Sequence, residues 1–259
     1  MQVCEAEFVP LDTGRRTRGR SHVAEKARRS KPALIIAVMV LCAVLLSLLV
    51  FRVFSWTGRQ QDAAFLALVN PWNPVDFCGF EPKLVDIGGG HQADSHCAEA
   101  LERMLADCSA AGYSPYVCSA YRARDVQQQL YDNKVQRLMA QGMSAEQAPN
   151  LAAMEVARPG TSEHETGLAL DIVDMDYQQL DESQAETATQ KWLMENCRRY
   201  GFILRYPEGA TEKTGVVYEP WHYRYVGVDA AEQIYQLGLT LEEYVSMFYS
   251  EEAVIIFEG

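Results

Sequence analysis

The order of apolar and polar residues divides the chain into distinct parts. Residues 33–51 form an uncharged, largely apolar run of 19 residues, which is long enough as a helix to cross a bilayer core of about 30 Å. Residues 52–64 are polar and predict a linker. The remaining residues, about 195 in number, suffice for one domain with a substantial core. The pattern therefore predicts a basic tail (1–32), a transmembrane anchor (33–51), a linker (52–64) and one domain (65–259).

Within the predicted domain, apolar spacing indicates helices and short strands in an irregular order. The predicted helices cover residues 96–111, 124–140 and 190–200 and two C-terminal segments, and the predicted strands cover residues 116–120, 168–173 and 202–206. In the helix over 124–140 we expect Val126, Leu130 and Leu138 to face the core. Strands and helices that alternate without a regular repeat favour an α+β fold.

The charge distribution changes at the apolar run. Eight basic and four acidic residues precede residue 33, which predicts a single-pass membrane protein with a cytoplasmic N-terminus and an extracytoplasmic domain. A cleaved signal peptide is the alternative, but the basic region is long for one and no Ala-x-Ala site follows. The part after residue 51 carries 15 basic and 31 acidic side chains. A surface that acidic argues against nucleic acid as a partner.

One carboxylate interrupts a strongly apolar strand. Asp171 stands between Leu170 and Ile172, where an ionised carboxylate is costly unless it is paired, hydrogen-bonded or bound to a metal. His164 and His222 complete a set of two imidazoles and one carboxylate, which suits one catalytic zinc ion with an open fourth position. The alternative is a buried aspartate bonded to the backbone, with two ordinary polar histidines.

Glu219 is placed to serve such a zinc site as its general base. It stands three residues before His222 and is not needed as a ligand; its alternative role is to orient the imidazole of His222. Pro220 lacks a backbone N–H, so residues 219–222 fit a strand end or bulge better than a central strand. Gly167 offers the backbone freedom for a turn that brings His164 towards Asp171.

Other potential ligands are less informative. The predicted domain contains five cysteines, Cys78, Cys97, Cys108, Cys118 and Cys197. Because five is odd, at least one is free or pairs between chains. Cys108 and Cys118 can approach each other from a helix and a strand, but both also fit as small core residues. His91 and His96 lie in a polar segment that we expect to be solvated.

The motifs around these residues resemble those of the VanY-type D-alanyl-D-alanine carboxypeptidases, zinc peptidases of bacterial cell-wall metabolism. The matching motifs are Ser162-x-His164-x-x-Gly167-x-Ala169-x-Asp171, Glu219-Pro220-Trp221-His222, Leu68-Val69-Asn70 with Asn73-Pro74, Ser119-Ala120-Tyr121-Arg122, and residues 200–207. They extend from about residue 66 to about residue 227. The resemblance implies a small central antiparallel sheet flanked by helices, a zinc ion held by His164, Asp171 and His222, and removal of the terminal D-alanine from peptidoglycan stem peptides.

The resemblance also implies roles for residues that spacing alone does not single out. Arg122 matches the residue that stabilises the oxyanion in the family. Ser162 and Gln127 match positions associated with holding the substrate, including its terminal carboxylate, and Tyr121 and Trp221 are further expected substrate contacts.

Three alternatives to this function remain open. An L,D-carboxypeptidase acting on tetrapeptide stems or a D,D-dipeptidase would use the same zinc ligands with a different pocket. A non-catalytic peptidoglycan-binding module would need neither a base nor an oxyanion partner.

Overall fold

The computed structural model describes residues 35–42, 45–46 and 64–249. The chain divides into two units, Met1–Thr57 and Gly58–Gly259. In the first unit, residues 35–42 and 45–46 are helical. The predicted tail and the remaining parts of the predicted anchor and linker, apart from residue 64, lie outside the described residues. Within the described ranges, no helix is both long enough and apolar enough to cross a membrane.

The second unit combines short strands with helices. The strands are β1 (Leu84–Gly88), β2 (His91–Asp94), β3 (Pro115–Ser119), β4 (Ala169–Asp174), β5 (Phe202–Leu204) and β6 (His222–Tyr225). The helices are α1 (Ser95–Ala110), α2 (Arg124–Ala140), α3 (Ala148–Glu155), α4 (Ala188–Asn196), α5 (Thr211–Thr214), α6 (Val228–Leu237) and α7 (Leu241–Tyr249). Four strands form an antiparallel sheet in the order β3-β4-β6-β5. The predicted α+β class with a small antiparallel sheet is confirmed.

The two central strands direct alternate residues to opposite faces of the sheet. Leu170 and Ile172 of β4 and Tyr223 of β6 are fully buried in the main core, against the apolar faces of α1 and α4. Asp171 and His222, one position out of phase, therefore point to the other face. A second core joins β5 to α6 and α7 and holds that edge of the sheet. The packing of the apolar positions thus determines where the polar ones project.

Helix α2 has the predicted bounds but not the predicted orientation. Val126 is 44% exposed and Leu130 is 39% exposed, so the prediction that these residues face the core is wrong. Leu138 is half-buried, and Gln127 is the one buried residue of this helix. The reason is that α2 packs against α3 and forms one wall of a cleft, which Leu130 lines.

The hairpin of β1 and β2 was not predicted from the sequence. The two strands pair through a turn at residues 88–90, where three consecutive glycines have positive φ, a conformation that other residues rarely adopt. His96 follows at the start of α1 and is less solvated than expected, because 30% of its side chain is exposed. Its Nδ1 lies 2.6 Å from Asp94 Oδ1, and its ring packs against Phe65 at 5.2 Å between centroids.

All cysteines among the described residues are free thiols. Cys108 lies in the main core, and the thiol of Cys118 is 3.5 Å from the Asp171 carbonyl oxygen. Cys108 and Cys118 therefore do not form a disulfide and are packed as small side chains. Burial is the largest cause that raises the pKa of both thiols to about 12, so neither ionises readily at neutral pH.

Candidate metal centre

Asp171 and His222 are brought together by the pairing of the two central strands. They are direct partners in the antiparallel register of β4 and β6, and side chains at paired positions lie on the same face. Asp171 Oδ1 is 3.0 Å from His222 Nδ1. Both residues are buried, with 4% and 3% of their surface exposed. The sheet register alone therefore fixes two of the three predicted ligands.

His164 reaches the same point from a helical turn. Residues Glu163–Thr166 form a 3-10 turn that ends at Gly167, whose φ of 68° lies in the left-handed region. The predicted turn at Gly167 is confirmed. A β-carbon at this position would lie 3.0 Å from the Asp94 backbone nitrogen. His164 Nδ1 lies 2.7 Å from the Ala120 carbonyl oxygen, and its Nε2 lies 3.2 Å from Asp171 Oδ2. Because Nδ1 donates to a carbonyl, Nε2 carries the free lone pair.

The three side chains fit a tetrahedral ion. One donor atom from each of His164, Asp171 and His222 lies within 4.8 Å of the other two, and this is the one group of three or more potential ligands found in residues 35–42, 45–46 and 64–249. Bonds of about 2.1 Å place neighbouring donors about 3.4 Å apart in a tetrahedral zinc site. Asp171 lies 3.0 Å from His222 Nδ1 through Oδ1 and 3.2 Å from His164 Nε2 through Oδ2, so the carboxylate lies between the two imidazoles at distances close to that spacing. Two imidazoles with one carboxylate are a common donor set for catalytic zinc.

Glu219 lies beside the three ligands without belonging to them. Residues 219–221 form an irregular segment just before β6, as the proline predicted. The backbone N–H of His222 donates to the backbone carbonyl oxygen of Glu219. The carboxylate is 3.7 Å from His222 Nδ1 and 7% of the residue is exposed. Burial, followed by the charge of Asp171, raises its pKa to about 8 despite the opposing effect of His222. A bound cation would lower this pKa again and leave a carboxylate able to accept a proton.

Arg122 projects its guanidinium group towards the same site. Its Nη2 is 3.6 Å from Asp171 Oδ2 and 2.7 Å from Ser119 Oγ. Its Nη1 donates to Gln127 Oε1 at 2.8 Å, and the Gln127 amide donates in turn to the Ala157 carbonyl oxygen at 2.6 Å. Gln127 is therefore fully buried and holds Arg122 in place. Its predicted contact with substrate stays a prediction.

A cleft of about 690 Å³ opens over the three ligands. Arg122, Ser162 and Trp221 line it together with the ligands and Glu219, so these predicted residues share one cavity. Tyr121 is half-buried on the loop after β3, where its backbone N–H donates to the Gln92 carbonyl oxygen at 2.8 Å. The roles predicted for Ser162, Trp221 and Tyr121 in substrate binding remain predictions.

Sequence reasoning missed Glu163, the residue next to His164. Its carboxylate is fully buried and bonds to Arg205 and Arg224, each at 2.7 Å. Its second oxygen lies 3.5 Å from His222 Nε2. The one available signal was the presence of Arg205 and Arg224 in apolar strand segments, since a buried arginine requires a carboxylate partner.

Comparisons with known proteins agree with this geometry. Residues 90–228 match the family described as VanY, D-alanyl-D-alanine carboxypeptidase. The chain belongs to this family. A D-alanyl-D-alanine carboxypeptidase of Enterococcus faecalis (strain ATCC 700802 / V583) is 42% identical over 190 residues, which are 73% of this chain and 68% of the relative. The chain spans about half the length of two other relatives, from Bacillus subtilis (strain 168) and Enterococcus faecium.

Two solved VanY structures share the fold. The vancomycin-resistance D,D-pentapeptidase VanY, as a mutant in complex with Zn(II), is 41% identical with a TM-score of 0.64, and the match covers 70% of this chain and 99% of that one. VanYB in complex with D-alanine-D-alanine is 42% identical with a TM-score of 0.65, covering 71% and 98%. The Zn(II) complex of this VanY relative and the three donors described here confirm zinc as the cofactor.

Proposed function

We propose that the protein is a zinc-dependent D-alanyl-D-alanine carboxypeptidase that removes the terminal D-alanine from peptidoglycan stem peptides. The observation that carries the proposal is the convergence of His164, Asp171 and His222 with a fourth, uncoordinated carboxylate, Glu219, in one cleft. The E. faecalis relative is named a D-alanyl-D-alanine carboxypeptidase, and the VanYB structure is a complex with D-alanine-D-alanine.

Glu219 is the residue that moves protons in this proposal. When bound, zinc polarises a carbonyl and lowers the pKa of water to about 7. The Glu219 carboxylate accepts a proton from the attacking water and returns it to the amine of the departing D-alanine. Its burial and its position beside His222 support this role, because the carboxylate lies next to the predicted ligands and a bound cation keeps it in the ionised form that accepts a proton.

Arg122 stabilises the negative charge that develops on the attacked carbonyl oxygen. Its hydrogen bonds to Ser119 and Gln127 fix the guanidinium group before substrate arrives, and a preorganised cation of this kind contributes without reorganisation during the reaction. Replacing Arg122 with lysine is expected to lower kcat by about 10²- to 10³-fold, as for the loss of one oxyanion donor. Steady-state kinetics with zinc content measured in parallel test this, and an unchanged kcat would contradict the role.

Substrate length distinguishes the proposal from its alternatives. We expect the purified protein to release D-alanine from a pentapeptide stem faster than from a tetrapeptide stem. Faster release from the tetrapeptide would indicate an L,D-carboxypeptidase, and hydrolysis of free D-alanyl-D-alanine would indicate a dipeptidase. Binding to cell-wall sacculi without any hydrolysis would instead identify a non-catalytic binding module.

The proposed location is the outer face of the cytoplasmic membrane. The support is the uncharged run of residues 33–51, the basic tail before it, and the position of stem peptides outside that membrane. Protease added to intact protoplasts is expected to digest the domain and spare the basic tail. Protection of the domain would overturn this topology.

Zinc binding is expected to release protons at neutral pH. Burial lowers the pKa of His222, but its contacts with Asp171 and Glu163 raise it to about 9 in the metal-free site. Zinc must therefore displace a proton from His222 below pH 9, and Glu219, whose pKa is about 8 without the ion, also loses its proton when the cation binds. The apparent affinity for zinc is therefore expected to rise at least about tenfold for each pH unit between pH 6 and pH 8. Calorimetry in buffers of different protonation enthalpy measures the released protons. An affinity independent of pH in this range would contradict the prediction.

A further inference from the structure

The carboxylate of Glu163 is held by two buried arginines. Its Oε1 accepts hydrogen bonds from Arg205 Nε and Arg224 Nη1, both at 2.7 Å, and all three side chains have no exposed surface. Arg224 Nη2 donates to the carbonyl oxygens of Phe65 and Ala67 at 3.0 and 2.8 Å, and Arg224 Nε donates to the Tyr225 carbonyl oxygen at 3.1 Å. A carboxylate that is paired in this way stays ionised and has a fixed orientation.

Glu242 completes this charge cluster from helix α7. Its two oxygens accept from Arg205 Nη1 and Nη2 at 2.9 and 2.6 Å. Two arginines and two glutamates therefore balance each other. With all four side chains ionised, the formal charge of the cluster is zero.

The second oxygen of Glu163 faces a metal ligand. Glu163 Oε2 and His222 Nε2 lie 3.5 Å apart. Both atoms are buried, and neither has a hydrogen-bond partner within the described residues. A buried polar atom without a hydrogen-bond partner destabilises the folded state, because it has lost its hydrogen bonds to water. A slight approach satisfies both at once, with Nε2–H as the donor and the carboxylate as the acceptor.

We propose that Glu163 is a positioning residue that keeps the proton of the neutral His222 ring on Nε2, so that the Nδ1 lone pair is available to zinc. This inference rests on the zinc site of the proposed function and adds to it the group that orients one ligand. The distribution of contacts around the ring supports it, since Nδ1 faces Asp171 at 3.0 Å while Nε2 faces Glu163. Outer partners of this kind set the tautomer and the basicity of metal-bound histidines.

Replacing Glu163 with glutamine separates this role from simple packing. If the glutamine oxygen keeps the arginine bonds, its NH₂ group faces His222 Nε2, which then must accept, and the ring proton moves to Nδ1. If the amide turns round, its NH₂ group meets the N–H donors of Arg205 and Arg224. Neither orientation satisfies both sides. The first moves the ring proton of His222 to Nδ1, and the second removes the arginine hydrogen bonds that hold the side chain in place.

Glu165 provides a matched control in the same turn. It is also buried, with 8% exposed, and its carboxylate accepts from the Gly160 N–H at 2.6 Å and from Arg124 Nε at 2.9 Å. These partners do not contact a metal ligand in the structure. Replacing Glu165 with glutamine thus removes a buried charge from the same turn while leaving the surroundings of His222 unchanged.

The test is zinc affinity, measured by competition with a chelating dye for the full chain and the two variants. We expect Glu163→Gln to weaken zinc binding by about 10- to 100-fold and Glu165→Gln to stay close to the unmodified protein. Thermal unfolding of the metal-free proteins serves as the folding control. Equal zinc affinities for Glu163→Gln and the unmodified protein would overturn the inference.

A second measurement does not depend on any variant folding. Nitrogen-15 spectra of histidine-labelled, zinc-loaded protein report which ring nitrogen of His222 carries the proton, and we expect Nε2. A proton on Nδ1 would overturn the inference. If the protein has the expected tautomer but releases no D-alanine, the proposed function is contradicted and this inference still holds. If the protein does not bind zinc, both are overturned.

Discussion

Replacing Glu219 with glutamine is expected to reduce kcat by about 10²- to 10⁴-fold, the range associated with the loss of a general acid–base group. Glutamine keeps the size of the side chain but cannot accept the proton. Because Glu219 lies 3.7 Å from His222 Nδ1 and outside the group of three ligands, bound zinc should remain at about one ion per chain. Stopped assays of D-alanine release and elemental analysis of the same preparation measure both quantities.

The matched control for this experiment is Glu208→Gln. Glu208 is exposed on the loop that follows Tyr206, so its replacement removes a carboxylate from the same part of the chain without changing the site. We expect turnover close to that of the unmodified protein. A Glu219→Gln variant that loses its zinc would show that Glu219 supports the metal, and one that keeps full turnover would show that another group moves the proton.

Replacing Asp171 with alanine is expected to abolish turnover by removing the metal. The carboxylate contacts both histidines, at 3.0 and 3.2 Å, so its loss takes away one ligand and separates the other two. The loss of a residue that only hydrogen-bonds to a ligand typically weakens metal binding by about 10- to 100-fold. Because Asp171 is itself a ligand, we expect its loss to lower the zinc affinity by more than this. The measurement is the zinc content of the dialysed protein together with its rate of D-alanine release.

The rise in Tm on zinc binding is a second, independent measurement of the effect of Asp171→Ala. Zinc at about 100 times its dissociation constant stabilises a folded protein by about 2.7 kcal/mol, which corresponds to about 5 to 10 °C in Tm for a domain of this size. We expect this rise in the unmodified protein and in the control Asp176→Ala, whose side chain is exposed after β4. We expect no rise in Asp171→Ala, and a full zinc-dependent rise there would contradict the ligand assignment.

The sequence was informative where local pattern decides the outcome. An acidic residue inside the apolar run of β4 predicted a buried carboxylate with a charged, hydrogen-bonding or metal partner. The structure places Asp171 beside His164 and His222, on the face opposite Leu170 and Ile172. The turn before it required a glycine, and Gly167 has the expected positive φ. These features depend on residues within one strand and one turn, so a single sequence contains the necessary information.

Features that depend on distant pairings were not predictable in the same way. The contacts of Glu163 with Arg205 and Arg224 join residues 42 and 61 positions apart, and no local pattern specifies such partners. The exposed side of α2 was missed for a related reason: Leu130 lines a cleft, and apolar cleft walls have the same periodicity as core faces. Gln127 matched a substrate position by resemblance, while its buried bonds to Arg122 appear only in three dimensions.

The most direct test of the central claim is a zinc titration of the metal-free full chain, with D-alanine release from a pentapeptide stem measured at each step. We predict that activity is absent without metal, rises in proportion to added zinc and reaches its maximum at about one ion per chain, whereas the Asp171→Ala variant stays inactive throughout. Metal-free protein that releases D-alanine at the full rate, or zinc-loaded protein that releases none, would contradict the account.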